Sequence, residues 1–268
     1  MARFLVWSDL HTEFGSFDLP DPADLPGPID GILIAGDTDV AHGHLTFAEH
    51  AVQTYDRPVV MVDGNHEYYH SELSAFDRDE AEILAAMQAR GLPVHLLKGG
   101  AVEIAGTRIA GATLWTDYAL DPTRIPDAME RAEMAMADFR TIKIDDGGIR
   151  PIRAHDILER HRVEKTRLWD TLATRFDGPT IVMTHHMPVA HAIHPQYRAN
   201  PLLNAAFANN LGAEISAFEF DAWICGHSHE IPTTEIMSLG GPRNLVANPR
   251  GYPHEFVPFD PLFTIETG

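Results

Sequence analysis

A single cysteine, Cys225, stands in the 268-residue chain, which excludes an internal disulfide and fits a reducing compartment. It ends the apolar run Asp221 to Cys225, so a buried, inert thiol is expected. Basic side chains are also few: 20 Lys and Arg face 39 Asp and Glu, a formal net charge of -19. Such a field repels polyanions, and no basic track is visible, so long nucleic acid and anionic membrane are not expected as partners. A small phosphorylated substrate stays open, because bound divalent cations dominate the potential of a site whatever the surrounding surface carries. No apolar run approaches the length of a membrane span, and Phe4 to Trp7 is too short for the core of a signal peptide. A cytoplasmic enzyme is expected.

What the chain has instead is histidine and carboxylate at the ends of apolar runs. Arg3 to Trp7 leads into Asp9-Leu10-His11, Gly31 to Ala35 into Gly36-Asp37, and Val59 to Val62 into Gly64-Asn65-His66-Glu67. Thr180 to Met183 leads to His185-His186, and Asp221 to Cys225 to Gly226-His227-Ser228-His229. A short apolar run that stops at a polar cluster is a buried strand whose C-terminal end opens into a site. Five such runs in one chain supply enough ligands for two metal ions.

Strands alternate with helices, as βαβ units require. Gly15 to Pro28, rich in Pro, Asp and Gly, reads as a surface loop. Leu45 to Tyr55 and Ser71 to Arg90 read as helices, the second with a Ser N-cap. Val94 to Leu97, Ala101 to Ile104 and Thr107 to Ala112 are short strands, the last two joined by a tight hairpin at Ala105-Gly106. Pro126 to Phe139 and Ala154 to Phe176 carry apolar residues at helical spacing and are expected to cover a sheet face. The tail returns to strands at Thr233 to Met237, Asn244 to Ala247 and Phe263 to Glu266. The expected organisation is one domain over residues 1–268 with a helical insertion at about 114–178.

The residue types select the chemistry. Imidazole nitrogen mixed with carboxylate and amide oxygen, without thiolate, suits Mn, Fe, Zn or Co. Two such ions about 3.5–4 Å apart need a bridging carboxylate, and Asp37 is the natural bridge. Asp9 and His11 can turn toward one ion, Asn65 offers a neutral oxygen to the other, and His227 and His229 can reach different ions from one turn.

Taken together and in this order, Asp9-x-His11, Gly36-Asp37, Gly64-Asn65-His66-Glu67, His185 and Gly226-His227-x-His229 resemble the motif set of the calcineurin-like metallophosphoesterases, over residues 9 to 229. The resemblance implies an α/β (α+β) fold, a two-sheet β-sandwich flanked by helices, rather than the doubly wound sheet that strand–helix alternation alone would also allow. It also implies that Asp9, His11, Asp37 and His229 hold one divalent ion, and Asp37, Asn65, His185 and His227 the other. A hydroxide shared by the two ions would then attack phosphorus, with His66 as general acid or transition-state stabiliser. The carboxylate orienting His66 is left open between Glu67 and Asp39.

Arg250, in the Asn248-Pro249-Arg250-Gly251-Tyr252 turn, and His186 are candidate substrate contacts, Arg250 because a guanidinium fork can clamp a phosphoryl oxygen. His42, His44, His70, His191 and His194 are expected to be solvated loop residues, and Tyr68 and Tyr69 to pack. Protein phosphatases with this metal core carry Asp-Arg-Gly after Gly-Asp, whereas here Thr38-Asp39 follows Asp37, so the arginine that grips a phosphate dianion is missing. With few basic residues near any block, a small-molecule or nucleotide phosphodiester is the expected substrate; a monoester or phosphoprotein is the alternative. A catalytically inactive scaffold is the competing reading from another class, but every metal seat is filled. Specificity is expected to lie in Leu114 to Gly178 and Pro188 to Asn204, the long connections beside the blocks.

Overall fold

The runs Phe4 to Trp7, Gly31 to Ala35 and Val59 to Val62 are apolar without alternation, and in the computed structural model of the chain both faces of these strands are covered. The structure describes residues 1–232 and 234–268; Thr233, the first residue of an expected strand, lies outside them.

In chain order the elements begin with β1 (Ala2–Trp7), β2 (Gly31–Ala35), α1 (Gly43–Tyr55), β3 (Val59–Val62), α2 (Leu73–Ala89) and β4 (Val94–Leu96). Next come β5 (Ala101–Ile104), β6 (Thr107–Ala112), α3 (Ile125–Ala135), α4 (Asp138–Thr141), β7 (Lys143–Asp145), β8 (Ile149–Pro151) and α5 (Ala154–Ala173). The remainder is β9 (Thr180–Thr184), α6 (Pro201–Asn204), α7 (Gly212–Ile215), β10 (Ala222–Ile224), β11 (Glu235–Ser238), β12 (Gly241–Val246) and β13 (Thr264–Thr267).

Two mixed sheets result. One has the order β13-β1-β2-β3-β4, with β1 to β4 parallel and β13 antiparallel at the edge. The other has the order β11-β12-β10-β9-β6-β5, parallel in its four central strands and antiparallel at both edges. Along β1, Phe4 and Val6 face the second sheet and pack with Ile109, Ile181 and Ile224. Leu5 and Trp7 face the other way, onto Leu45, Ala48 and Val52 of α1 and Met87 of α2. The second sheet repeats the pattern, with Val182 and Trp223 packed against Leu168 and Leu172 of α5. The result is a helix–sheet–sheet–helix sandwich, and burial of both strand faces explains why the strands read as continuous apolar runs. The alternative doubly wound sheet is thereby replaced by two packed sheets.

Several boundaries differ from the sequence expectation for physical reasons. Helix α2 is capped by Glu72, whose carboxylate accepts from the amides of Ser74 and Ala75, rather than by Ser71, whose carbonyl accepts from Lys143 instead. The helix expected over Pro126 to Phe139 breaks at Met136, and the break turns Asp138 inward to meet Asn65 and Tyr69. Of the segment 114–178, α5 is a layer of the sandwich, and the break between α3 and α4 lines the cavity over the strand ends. Among the described residues, no helix is long and apolar enough to cross a membrane.

Candidate metal centre

Because β1, β2, β3, β9 and β10 run parallel within their sheets, the loops that follow them gather at one edge of the sandwich. There the backbone bends sharply. Asp9, His11, Asp37, His227 and His229 all adopt left-handed conformations, with φ between 46° and 67°. Such conformations are uncommon for residues other than glycine and cluster where a site over-determines them. The glycines of the blocks make room: a Cβ on Gly64 would stand 2.0 Å from Asp37 Oδ1, and one on Gly36 would stand 2.5 Å from His185 Nδ1.

The structure brings the seven predicted ligands into two adjoining clusters. In the first, Asp9, His11 and His229 converge, with His11 Nε2 3.0 Å from His229 Nε2 and His229 Nε2 3.5 Å from Asp9 Oδ1. In the second, His185 Nε2 lies 3.1 Å from Asn65 Oδ1, and His227 closes the group with Asp37 and His185. Asp37 stands between them: its Oδ2 is 3.8 Å from His11 Nε2 and 3.4 Å from His185 Nε2. All seven are buried or nearly so.

Three of the four imidazoles, those of His11, His185 and His229, are oriented by the other nitrogen. The Nδ1 of His11 donates to Glu13 at 3.1 Å, that of His229 to Glu255 at 2.6 Å, and that of His185 to the Ala35 carbonyl at 2.8 Å. With Nδ1 protonated in all three, the Nε2 lone pairs are free to face the clusters, an arrangement typical of metal-ligating histidine. Asn65 is treated alike: its Nδ2 donates to Asp138 at 2.9 Å, which turns its Oδ1 inward. Asp9 Oδ2 and His227 Nε2 are buried without any hydrogen-bond partner. Bare nitrogens facing each other at 3.0 Å, beside orphaned buried acceptors, are the donor set that a pair of divalent cations would satisfy. Burial opposes charge on His185, yet Asp37 outweighs it and pushes the imidazole up to about 10. Burial would raise Asp37, but His185, His66 and His11 hold it well below the usual carboxylate range.

His66 sits at the rim of the clusters. Its Nδ1 donates to Glu13 Oε1 at 2.7 Å and its Nε2 lies 3.0 Å from the Tyr252 hydroxyl. Burial disfavours its charge, but Asp37 and Glu13 outweigh this and push it up to about 9. Burial likewise raises Glu13, and hydrogen bonds from His11 and His66 overcome it, bringing the carboxyl down to about 2.

Neither carboxylate considered from sequence orients His66. Glu67 is buried and accepts from the amides of Asp37, Thr38 and Gly64, so it shapes the loops; Asp39 accepts from Thr12. Sequence gives no role to Glu13 or Tyr252, although Glu13 stands two residues from His11 and Tyr252 two from Arg250. Arg250 donates to the carbonyls of Leu10, Gly15 and Ser16, pinning the loop that carries Glu13, and does not line the cavity. Nor does His186, which turns to the Thr113 carbonyl and stacks near Trp115 and His227. His44, expected in solvent, is fully buried in α1 beside Glu80. Tyr69, expected only to pack, lines the cavity and donates to Asp138.

A cavity of about 490 Å³ opens over the clusters, with Asp37, Asn65, His66, His227 and His229 in its floor. Comparison with known proteins follows the same geometry. Residues 2–230 match the family model described as calcineurin-like phosphoesterase. No curated protein matches the sequence. Among solved structures, phosphopantetheinyl hydrolase from Mycobacterium tuberculosis superposes with a TM-score of 0.64 at 16% identity, over 94% of this chain and 90% of that one. A dimetal phosphatase from Danio rerio aligns with a TM-score of 0.38 at 10% identity, over 92% of this chain and 86% of that one. The first of these shares the fold, the family model covers every strand-end block and all but the last three strands of the sandwich, and the chain therefore belongs to the calcineurin-like phosphoesterase family.

Proposed function

We propose that this protein hydrolyses a small-molecule or nucleotide phosphodiester with two divalent cations, one held by Asp9, His11, Asp37 and His229 and the other by Asp37, Asn65, His185 and His227. The observation that carries the reading is the position of Asp37 Oδ2 within 3.8 Å of a nitrogen from each cluster. When bound, such cations supply Lewis-acid polarisation of phosphoryl oxygen and a water of lowered pKa. The chain's own residues then do the rest. His66, kept protonated by Glu13, presents its Nε2 proton on the cavity side, where the Tyr252 hydroxyl now accepts it. In the reaction that proton passes to the leaving alcohol oxygen as its bond to phosphorus breaks, while the oxygen of water bonds to phosphorus and gives up one proton to solvent, from which His66 regains its own. The products are a phosphomonoester and an alcohol.

A diester is favoured over a monoester or phosphoprotein because no lysine or arginine among the described residues lines the cavity to meet a second phosphate charge. The donor set suits Mn, Fe, Zn or Co. We take residues 1–268 to work as one domain with an insertion at about 114–178, in the cytoplasm, where the lone buried Cys225 needs no oxidant.

Hydrolysis of bis(p-nitrophenyl) phosphate and of p-nitrophenyl phosphate, each after reconstitution with Mn²⁺, Fe²⁺ or Zn²⁺, tests the reading. Faster turnover of the diester is the expected result. Preference for the monoester would transfer the protein to the phosphomonoesterases, and no turnover with any metal would make it a scaffold.

A further inference from the structure

The cavity is two-sided. Its floor is the polar cluster just described, while one wall is built from Met136, Met187, Ile193, Leu203 and Phe207. These residues come from separate segments: the break between α3 and α4, the loop after β9, and the turns around α6. They leave an apolar surface directly beside the metal-binding groups. The carboxylates on its rim are Glu230 and Glu255, the latter bonded to His229; of the basic side chain types only histidine, His194 at the mouth, lines the cavity beyond the clusters, with no lysine or arginine among the described residues. Apolar wall and acidic rim exclude the same ligands. A substrate with a second phosphate or a carboxylate would meet no countercharge, whereas an uncharged apolar chain would remove the wall from water.

We propose that the substrate is a monoanionic phosphodiester with a single phosphorus, one of whose arms is uncharged and apolar and seats against Met136, Met187, Ile193, Leu203 and Phe207. This rests on the phosphodiester reading above and narrows it: nucleoside polyphosphates and sugar bisphosphates fall outside the class. The arm binds by area, so affinity rises with each methylene covered, by about fourfold when burial is complete. The polar end stays responsible for chemistry, and the wall for selection.

The test uses methyl, butyl and 4-carboxybutyl p-nitrophenyl phosphates with the Mn²⁺-loaded protein. The butyl ester is expected to exceed the methyl ester at least tenfold in kcat/KM, through KM, and the carboxybutyl ester to fall back to the methyl level or below. Calorimetry with butyl methylphosphonate against methyl methylphosphonate reads the same preference as binding, independently of turnover. Met136 and Leu203 are only partly buried, so Met136→Lys and Leu203→Lys should fold, and both should narrow the butyl advantage while improving the carboxybutyl ester. Equal kcat/KM for the methyl and butyl esters, with bis(p-nitrophenyl) phosphate still hydrolysed, overturns the apolar-arm assignment and leaves the diester reading standing. Hydrolysis of p-nitrophenyl phosphate alone overturns the diester reading itself.

Discussion

Glu13 Oε1 accepts a hydrogen bond from His66 Nδ1 at 2.7 Å, and the same oxygen accepts from His11 Nδ1 at 3.1 Å. One carboxylate therefore orients both a predicted metal ligand and the predicted proton donor. Glu13→Gln keeps the shape but weakens the acceptance from His66. It is expected to lower kcat roughly ten- to a hundredfold while leaving two metal ions per chain, because loss of a positioned proton donor costs on the order of a hundredfold or more. Steady-state kinetics paired with metal analysis decides this; unchanged kcat would remove Glu13 from the machinery.

Asp37 and His66 separate binding from chemistry. Asp37→Asn is expected to lose metal, since Asp37 Oδ2 faces nitrogens of both clusters. His66→Ala is expected to retain both ions and to lose about a hundredfold or more in turnover. Metal content by mass spectrometry after dialysis gives the answer, and a fully loaded Asp37→Asn protein would refute the bridging role.

Gly64 lies under the Asp37 carboxylate, where an added Cβ would come within 2.0 Å of Oδ1. Gly64→Ala is expected to fold, with a weakened affinity for the ions and kcat recovered at high metal concentration. Titration of apo protein with Mn²⁺, read by activity and by calorimetry, distinguishes this from global unfolding.

Arg250 is tied to the carbonyls of Leu10, Gly15 and Ser16. Were it a phosphate clamp, Arg250→Lys would raise KM for every phosphoester. The geometry predicts instead a lower melting temperature and a reduced kcat, through slackening of the loop bearing Glu13, with KM for the methyl ester unchanged within about twofold.

Away from the centre, Asp77 of α2 accepts from Lys98 Nζ at 2.7 Å and from Arg160 of α5 at 2.8 Å. Burial raises its carboxyl, but Arg160 and Lys98 outweigh burial and bring it down to about 2. A folded pKa below the unfolded one means that the contribution is complete above about pH 4 and fades as pH falls toward 2. Since Asp77 is a third exposed, Asp77→Asn should cost on the order of 1 kcal/mol at pH 7. Thermal unfolding from pH 7 to pH 2 should show the two proteins converging at the acid end; a constant gap would exclude the charge as its source.

The chain alone determined the parts of this protein whose information is local. An apolar strand followed by Asp9, Asp37, Asn65, His185 or His227 is legible because strand burial and the residue type at its end lie within a few positions of one another. The helices are legible for the same reason, from spacing, with ends displaced where the Ser71 carbonyl and Asp138 find tertiary partners. Only the folded structure decided which carboxylate steers His66, that Arg250 serves the backbone, that His44 is buried, and that an apolar wall faces the clusters. Those facts join segments as distant as Glu13 and His66, or His66 and Tyr252, and no periodicity records contacts made through space across the edge of two packed sheets.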